Sequence, residues 1–204
     1  MEFSLHSVLQ LARLSVQSPR AAARRLLDLR LSHQAIWLIF AFSIIPSVLI
    51  SQIAFRFLPP EVQAFWADAM SRPIQTALQQ GAFWLLATVA LHRLGRWSSR
   101  SGTFFETLLI VAWWQIIFVG FQIAQILIYI VLVIYLPLGE VVTIAGLVLL
   151  FWCLTQFVVE LHDFKSGWLT FLGIIGALLL AAIVLLIGLV TLLTVLGQGA
   201  VVNV

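Results

Sequence analysis

Charged residues are scarce in this chain of 204 amino acids, in which Asp, Glu, Lys and Arg together make up 9%. An ordinary soluble domain is about 25% charged and roughly 45–50% apolar. Here 62% of the residues are hydrophobic, and the mean hydropathy is +1.10. A soluble fold could not hide so much apolar surface. This composition therefore excludes a soluble globular protein and predicts that the bilayer is the main solvent.

Cysteine and metal-ligand patterns are also missing. The single cysteine, Cys153, lies in an apolar run, so an intrachain disulfide is excluded and the thiol should pack as a small hydrophobe. The four histidines show no HxxxH spacing, and there is no Gly-rich phosphate loop. We therefore predict no metal and no cofactor. The net charge of +3 is too small and too dispersed for nucleic-acid binding as the main role.

Long apolar runs dominate what is present. We predict an all-α integral membrane protein with five transmembrane helices, preceded by amphipathic helices on the cytoplasmic side. The N-terminal segment covers residues 1–34 and lacks the uninterrupted apolar stretch of a cleavable signal peptide. The five-helix domain covers residues 35–204. Its predicted spans are residues 35–57, 74–94, 104–136, 141–161 and 168–196.

The N-terminal segment is predicted to form two basic helices. Over residues 4–17 the apolar and polar side chains fall on opposite helix faces, and Ser18-Pro19 is typical of the start of a second helix. Such a pair could lie on an anionic membrane surface, or it could pack on the protein's own cytoplasmic face. The candidate membrane-surface residues are Arg13, Arg20, Arg24 and Arg25.

Two spans carry small residues at a four-residue spacing. They are Ser43, Ser47 and Ser51 in the first span, and Gly173, Ala177 and Ala181 in the fifth. This spacing favours close helix packing, within one molecule, between copies of the chain or with a partner membrane protein. For the serines, a hydroxyl-lined path is the alternative.

The third and fourth spans carry a predicted polar seam. Its members are Gln115, Gln122, Gln156 and Glu160. If the chain turns at residues 136–140, counting from that turn places Gln122 opposite Gln156 and Gln115 opposite Glu160. Polar groups at membrane depth are costly and need a reason. They either line a path for a proton, a small polar solute or a lipid headgroup, or they hydrogen-bond one another and hold the helices together.

The start of the third span has two further signals. Thr103 and Glu106 fit a capping box, so a helix should begin near residue 104. Trp113 and Trp114 follow, and we expect them to mark the water interface, where Trp is common.

The basic residues are distributed unevenly across the predicted membrane. Nine of the eleven Lys and Arg residues fall in the N-terminal segment and in the loops after the second and fourth spans. The other two, Arg56 and Arg72, fall on the opposite side. The positive-inside rule then predicts a cytoplasmic N-terminus and a C-terminus outside.

Two stretches resemble the Yip1-like family of five-span membrane proteins, in its short bacterial form. They are FFETLLIVAWWQ at residues 104–115 and FWCLTQFVVELHDF at residues 151–164. The resemblance implies a bacterial cytoplasmic (inner) membrane location with a periplasmic C-terminus. It supplies no catalytic residues. Eukaryotic relatives with longer N-terminal regions are linked to vesicle traffic and small GTPases, a role that this short segment does not favour.

Three functional interpretations follow. The first is a non-catalytic multi-pass protein that organises membrane or supports a partner complex, with membrane lipids, further copies or another membrane protein as partners. The alternative is a transporter or lipid-moving protein that uses the polar seam. The weakest is a membrane enzyme, which would need an acid/base cluster drawn from Glu106, Glu160, His162 and Asp163.

Overall fold

A computed structural model describes residues 5–58, 60–96, 102–132 and 136–201, and within these the regular elements are all helices. Two short helices precede the bundle and one lies between its first two long helices. The eight helices are α1 (Leu5–Gln17), α2 (Pro19–Leu27), α3 (His33–Phe55), α4 (Pro60–Met70), α5 (Pro73–Gly95), α6 (Phe104–Leu132), α7 (Leu136–His162) and α8 (Gly167–Val201).

Within the described ranges, four helices are long and apolar enough to cross a membrane. They are His33–Phe55, Phe104–Ile128, Val141–His162 and Gly167–Leu192. They correspond to four of the five predicted spans. α5 occupies the position of the remaining one, but its glutamines and basic residues make it less apolar than the other four.

The ends of four long helices meet on one side of the bundle. The His33 ring, where α3 begins, stacks on Phe105 of α6 with ring centroids 3.7 Å apart. Gly102, just before α6, donates its backbone N–H to His162 Nδ1 at the end of α7, at 3.2 Å. We call this side, which also carries the end of α5 at Gly95, the basic end.

The basic end holds most of the core. α6 is buried on every side from Leu108 to Gln115, because α3, α5, α7 and α2 pack around it. The predicted capping box is confirmed: Thr103 N–H donates to Glu106 Oε2 at 2.7 Å, and Glu106 N–H donates to Thr103 Oγ1 at 3.2 Å. The helix therefore begins where the sequence signal places it.

The expectation that Trp113 and Trp114 mark the water interface is wrong. Both side chains are only 5% exposed. Trp113 Nε1 donates to Ser15 Oγ of α1 at 2.9 Å, and Trp114 Nε1 donates to the Leu150 carbonyl of α7 at 2.9 Å. Both indole N–H groups are therefore satisfied inside the protein, that of Trp113 by α1 and that of Trp114 by α7.

The predicted turn between the third and fourth spans lies too late in the chain. α6 ends at Leu132 rather than at residue 136, and α7 begins at Leu136 rather than at residue 141. Pro137 is the second residue of α7, a position where its missing N–H costs no hydrogen bond. Pro137, which lies within the predicted turn at residues 136–140, therefore belongs to a helix start.

The segment between the first two predicted spans, residues 35–57 and 74–94, contains a helix, α4. α4 lies at the end of the bundle opposite the basic end, which we call the far end. There Gln52 Nε2 of α3 approaches Met70 Sδ of α4 at 3.6 Å. Pro60, the first residue of α4, is again compatible with a helix start.

Candidate functional site

A polar clamp joins α2 to α7 at the basic end. Arg20 Nε donates to Gln156 Oε1 at 2.7 Å, and Arg24 Nε lies 3.2 Å from Glu160 Oε1. Arg20 and Arg24 are four residues apart on α2, and their partners Gln156 and Glu160 are four residues apart on α7, so both contacts join the same two helix faces. The two helices run in the same direction. Of the four candidate membrane-surface arginines, Arg20 and Arg24 contact α7, while Arg13 and Arg25 are exposed.

The buried face of α2 explains why this clamp forms. Pro19, Ala22, Ala23 and Leu26 are buried, and Ala22 and Ala23 are fully so. Small side chains let two helices approach closely. The helix pair therefore packs on the body of the protein, which is one of the two arrangements that the sequence left open.

The predicted pairs of the polar seam do not form. Gln156 and Glu160 contact arginines of α2, not Gln122 and Gln115. Three contacts fix the actual register of α6 against α7: Trp114 with the Leu150 carbonyl, Phe121 with Gly146, and Gln125 with Thr143. In each contact the midpoint falls near residues 132–134, whereas the predicted turn is centred on residue 138. The observed register of α7 against α6 is therefore offset from the predicted one, and the expected partners do not lie opposite each other.

Gln115 is enclosed at the centre of the bundle. Its side chain is 1% exposed, and neither amide atom has a hydrogen-bond partner among the described residues. An unpaired buried amide costs free energy. The sequence therefore identified a buried polar residue correctly, but the partner proposed for it is elsewhere.

Gln122 lies in a cavity at the far end. This cavity, about 440 Å³, lies between α3, α4, α6 and α7. Gln125 Nε2 donates to Thr143 Oγ1 at 2.7 Å in the same cavity, while Gln122 Oε1 has no partner among the described residues. The polar seam is therefore divided into a far-end cavity, a buried amide and a clamp at the basic end.

A lateral groove begins beside the clamp. It runs between α7 and α8 with a volume of about 600 Å³. Gln156 and Gly167 line one end, and aromatic and aliphatic side chains line the rest, including Phe151, Trp152 and Phe171. The groove is open along its side and faces the surroundings of the bundle.

The small-residue face of α3 packs inside the chain. Ser43 and Ser47 are buried, and Gln80 Nε2 of α5 donates to Ser47 Oγ at 3.1 Å. Ser43 Oγ donates to the Phe40 carbonyl and Ser51 Oγ to the Val48 carbonyl, at 2.6 and 2.8 Å. Two of these hydroxyls therefore bond to the carbonyls of their own helix, and the third accepts from α5.

The small-residue face of α8 packs against α5. A Cβ added at Gly173 would lie 2.7 Å from Leu94 Cδ2, while Ala177 and Ala181 are 7% and 2% exposed. Both small-residue faces thus make contacts within one molecule.

A junction around His162 was missed in the sequence. The ring is fully buried, and its Nδ1 accepts from the Gly102 backbone. Gly95 lies so close that a Cβ there would overlap the ring. The Gly102 carbonyl in turn lies 3.1 Å from His92 Nδ1. The signals available in the sequence were the two glycines before α6, Gly95 and Gly102, and the His162-Asp163 dipeptide at the end of α7.

The acid/base candidates other than His162 each have a different environment. Glu106 caps its own helix, Glu160 contacts Arg24, and Asp163 is exposed in the left-handed region with φ 54°. The part of the chain described by the structure contains no group of three His, Cys, Asp or Glu residues able to hold a metal ion.

Comparison with known protein families gives a match over most of the chain. The Yip1 domain matches residues 13–189, which is most of the chain. The match begins within α1 and extends into α8. No curated protein and no solved structure matches the chain.

Proposed function

The chain belongs to the Yip1 domain family, and we propose that it is a non-catalytic membrane protein. In this proposal it gathers anionic lipid around its basic end. Its organising role, alone or in a partner complex, would come from holding a basic surface at a fixed height beside the bilayer. The observation that carries this proposal is the clamp of α2 on α7, which fixes Arg20 and Arg24 at the rim of the bundle.

We propose that α5 is the fifth span. Its 23 residues would extend about 34 Å at 1.5 Å per residue, enough to cross a hydrocarbon core of about 30 Å. It packs against α3, α6 and α8. Of its polar residues, Gln80 is bonded to Ser47, and His92 and Arg93 lie at the basic end. These features support a span despite its lower hydropathy.

We propose that the basic end faces the cytoplasm of a bacterial cell and that the C-terminus is periplasmic. Described basic residues of the N-terminal helices, of the end of α5 and of the segment before α8 gather there, and Arg56 and Arg72 lie at the far end. Arg100, which we counted with the basic side, lies outside the described residues. The positive-inside rule supports this orientation.

Lipid enrichment around the reconstituted protein tests the proposal. We would measure energy transfer from a dye on the protein to acyl-labelled phosphatidylglycerol and, separately, to acyl-labelled phosphatidylcholine. The wild type should favour the anionic lipid. A variant with Arg13, Arg20, Arg24 and Arg25 changed to Gln should lose this preference, because about 1 kcal/mol of attraction per basic residue is removed.

The matched control changes Arg56 and Arg72 to Gln at the far end. It should keep the wild-type preference in the leaflet that the basic end contacts. Equal loss in both variants, with both still eluting as monodisperse protein, would show that net charge rather than the basic end gathers lipid.

One observation favours the alternative of a transporter or lipid-moving protein. Gln122 Oε1 and both amide atoms of Gln115 have no partner among the described residues, and Gln122 lines the far-end cavity. Gln122 is therefore available to a polar solute in the cavity, whereas Gln115 is enclosed. This alternative expects flux or lipid scrambling in vesicles that Gln122→Leu abolishes, whereas the organising role expects neither.

A further inference from the structure

The groove between α7 and α8 points to a specific occupant. We propose that it holds one acyl chain of an anionic phospholipid, with the phosphate of the headgroup at Arg20. This inference rests on the proposed lipid-gathering function and names a single site within it.

The walls of the groove determine the chemistry of the occupant. One wall runs along α7 from Ile144 to Gln156, and the other along α8 from Trp168 to Ile175. The groove lies between two candidate spans and opens sideways, so it faces hydrocarbon. No water is available at that depth to solvate polar groups. A bound molecule must therefore be apolar over most of the groove.

The length of the groove matches one leaflet. The twelve residue steps from Ile144 to Gln156 rise about 18 Å at 1.5 Å per residue. Half of a hydrocarbon core of about 30 Å is close to this length. One extended acyl chain entering from the basic end would fill the groove and end near the middle of the bilayer.

The polar end of the groove matches an anionic headgroup. Arg20 uses its Nε to contact Gln156, a neutral amide, so this contact leaves the positive charge of Arg20 uncompensated. Among the described residues its terminal nitrogens have no other partner, and they can donate in parallel to two phosphate oxygens. The neighbouring Arg24 differs, because it faces the carboxylate of Glu160.

An exposed tryptophan also supports a headgroup at the polar end of the groove. Trp168 lines the groove at its polar end and is 67% exposed. Trp is enriched where hydrocarbon meets headgroups. Arg20, Gln156 and Trp168 thus place the polar end of the groove at the membrane interface.

Native mass spectrometry with added lipid tests this site. The purified full chain would be titrated with phosphatidylglycerol and, separately, with phosphatidylcholine of equal chain length. We expect one phosphatidylglycerol per chain at a concentration about tenfold below that needed for phosphatidylcholine. Arg20→Gln should remove the tenfold preference, while Arg25→Gln, on the exposed side of the same helix, should keep it.

A second pair of variants tests the groove itself. Val148 lines the groove and is 65% exposed, so Val148→Trp should fill the groove without crowding the core and weaken binding of both lipids. Val190→Trp, on an exposed position of α8 outside the groove, is the control and should bind as the wild type does.

Three outcomes would overturn the inference. They are an unchanged preference in Arg20→Gln, equal effects of Val148→Trp and Val190→Trp, and a dimer that forms without lipid and is broken by Val148→Trp. The last would make a second copy the occupant. If the groove variants have no effect but the energy-transfer preference persists, this site is wrong and the lipid-gathering function stands. If the wild type shows no preference for the anionic lipid in the energy-transfer experiment, both the lipid-gathering function and the groove site are refuted.

Discussion

α6 and α8 are both long apolar helices, yet they have opposite surroundings. In α6, 50% of an 18-residue stretch is buried inside the protein, whereas in the more apolar α8 only 17% is. α6 carries the buried polar residues Thr107 and Gln115, and α8 exposes leucines and isoleucines along most of its length. Because lipid tails are as apolar as Leu, high hydropathy reports contact with lipid rather than depth in the protein. Of these two helices, the more enclosed one carries the buried amide, Gln115.

The largest expected effect contrasts glycines beside these two helices. In Gly95→Ala, at the end of α5, the new Cβ would overlap the His162 ring, which is held by Gly102. Overpacking of this kind costs typically about 1–3 kcal/mol. We expect a clearly lower melting temperature in detergent, followed by fluorescence-detected size exclusion.

Its control is Gly176→Ala in α8, where nothing lies within 4 Å of the added Cβ. An Ala in a helix interior is favoured over Gly by about 0.5–1 kcal/mol. This variant should therefore be as stable as the wild type or slightly more stable. Similar losses in the two variants would contradict the contrast between an enclosed and a lipid-facing region.

The next variant should raise the melting temperature rather than lower it. Gln115→Met keeps the length of the side chain and removes an amide that has no partner among the described residues. Leaving such a group buried costs about 1–3 kcal/mol. We expect Gln115→Met to raise the melting temperature, while Gln125→Met, which removes the bond to Thr143, should lower it. A loss in both would mean that Gln115 has a bound partner, such as an ordered water.

The sequence predicted the helices better than their contacts. Long apolar runs define the helices because the bilayer requires every backbone group to be bonded internally. The turn between α6 and α7 was misplaced because Pro137 fits a helix start as well as a loop. Because the turn was misplaced by a few residues, the predicted pairs of Gln122 with Gln156 and of Gln115 with Glu160 were wrong. The position of Trp113 was missed because hydropathy cannot tell that α1 covers it.

A smaller effect compares two tryptophans. Trp113→Phe removes the indole donor to Ser15 and so loosens α1 from α6, at a cost of about 0.5–1.5 kcal/mol. Limited proteolysis should cut the N-terminal segment faster in this variant. Trp168→Phe in α8 is the control, because its side chain is 67% exposed. Faster cleavage in the control as well would show that α1 is not held by this hydrogen bond.

The smallest effect belongs to the water-facing rim of the basic end. Glu160→Gln removes the carboxylate that faces Arg24, whose side chain is 65% exposed, whereas that of Glu160 is 20% exposed. Solvent screens such a pair, so it contributes about 0–1 kcal/mol. We expect a small drop in melting temperature that shrinks further in high salt. The double variant with Arg24→Gln should lose no more than Glu160→Gln alone, because the interaction is already absent. Loss of folded protein in Glu160→Gln would instead make the clamp essential to the bundle, and the enclosed core around α6 would then depend on its rim.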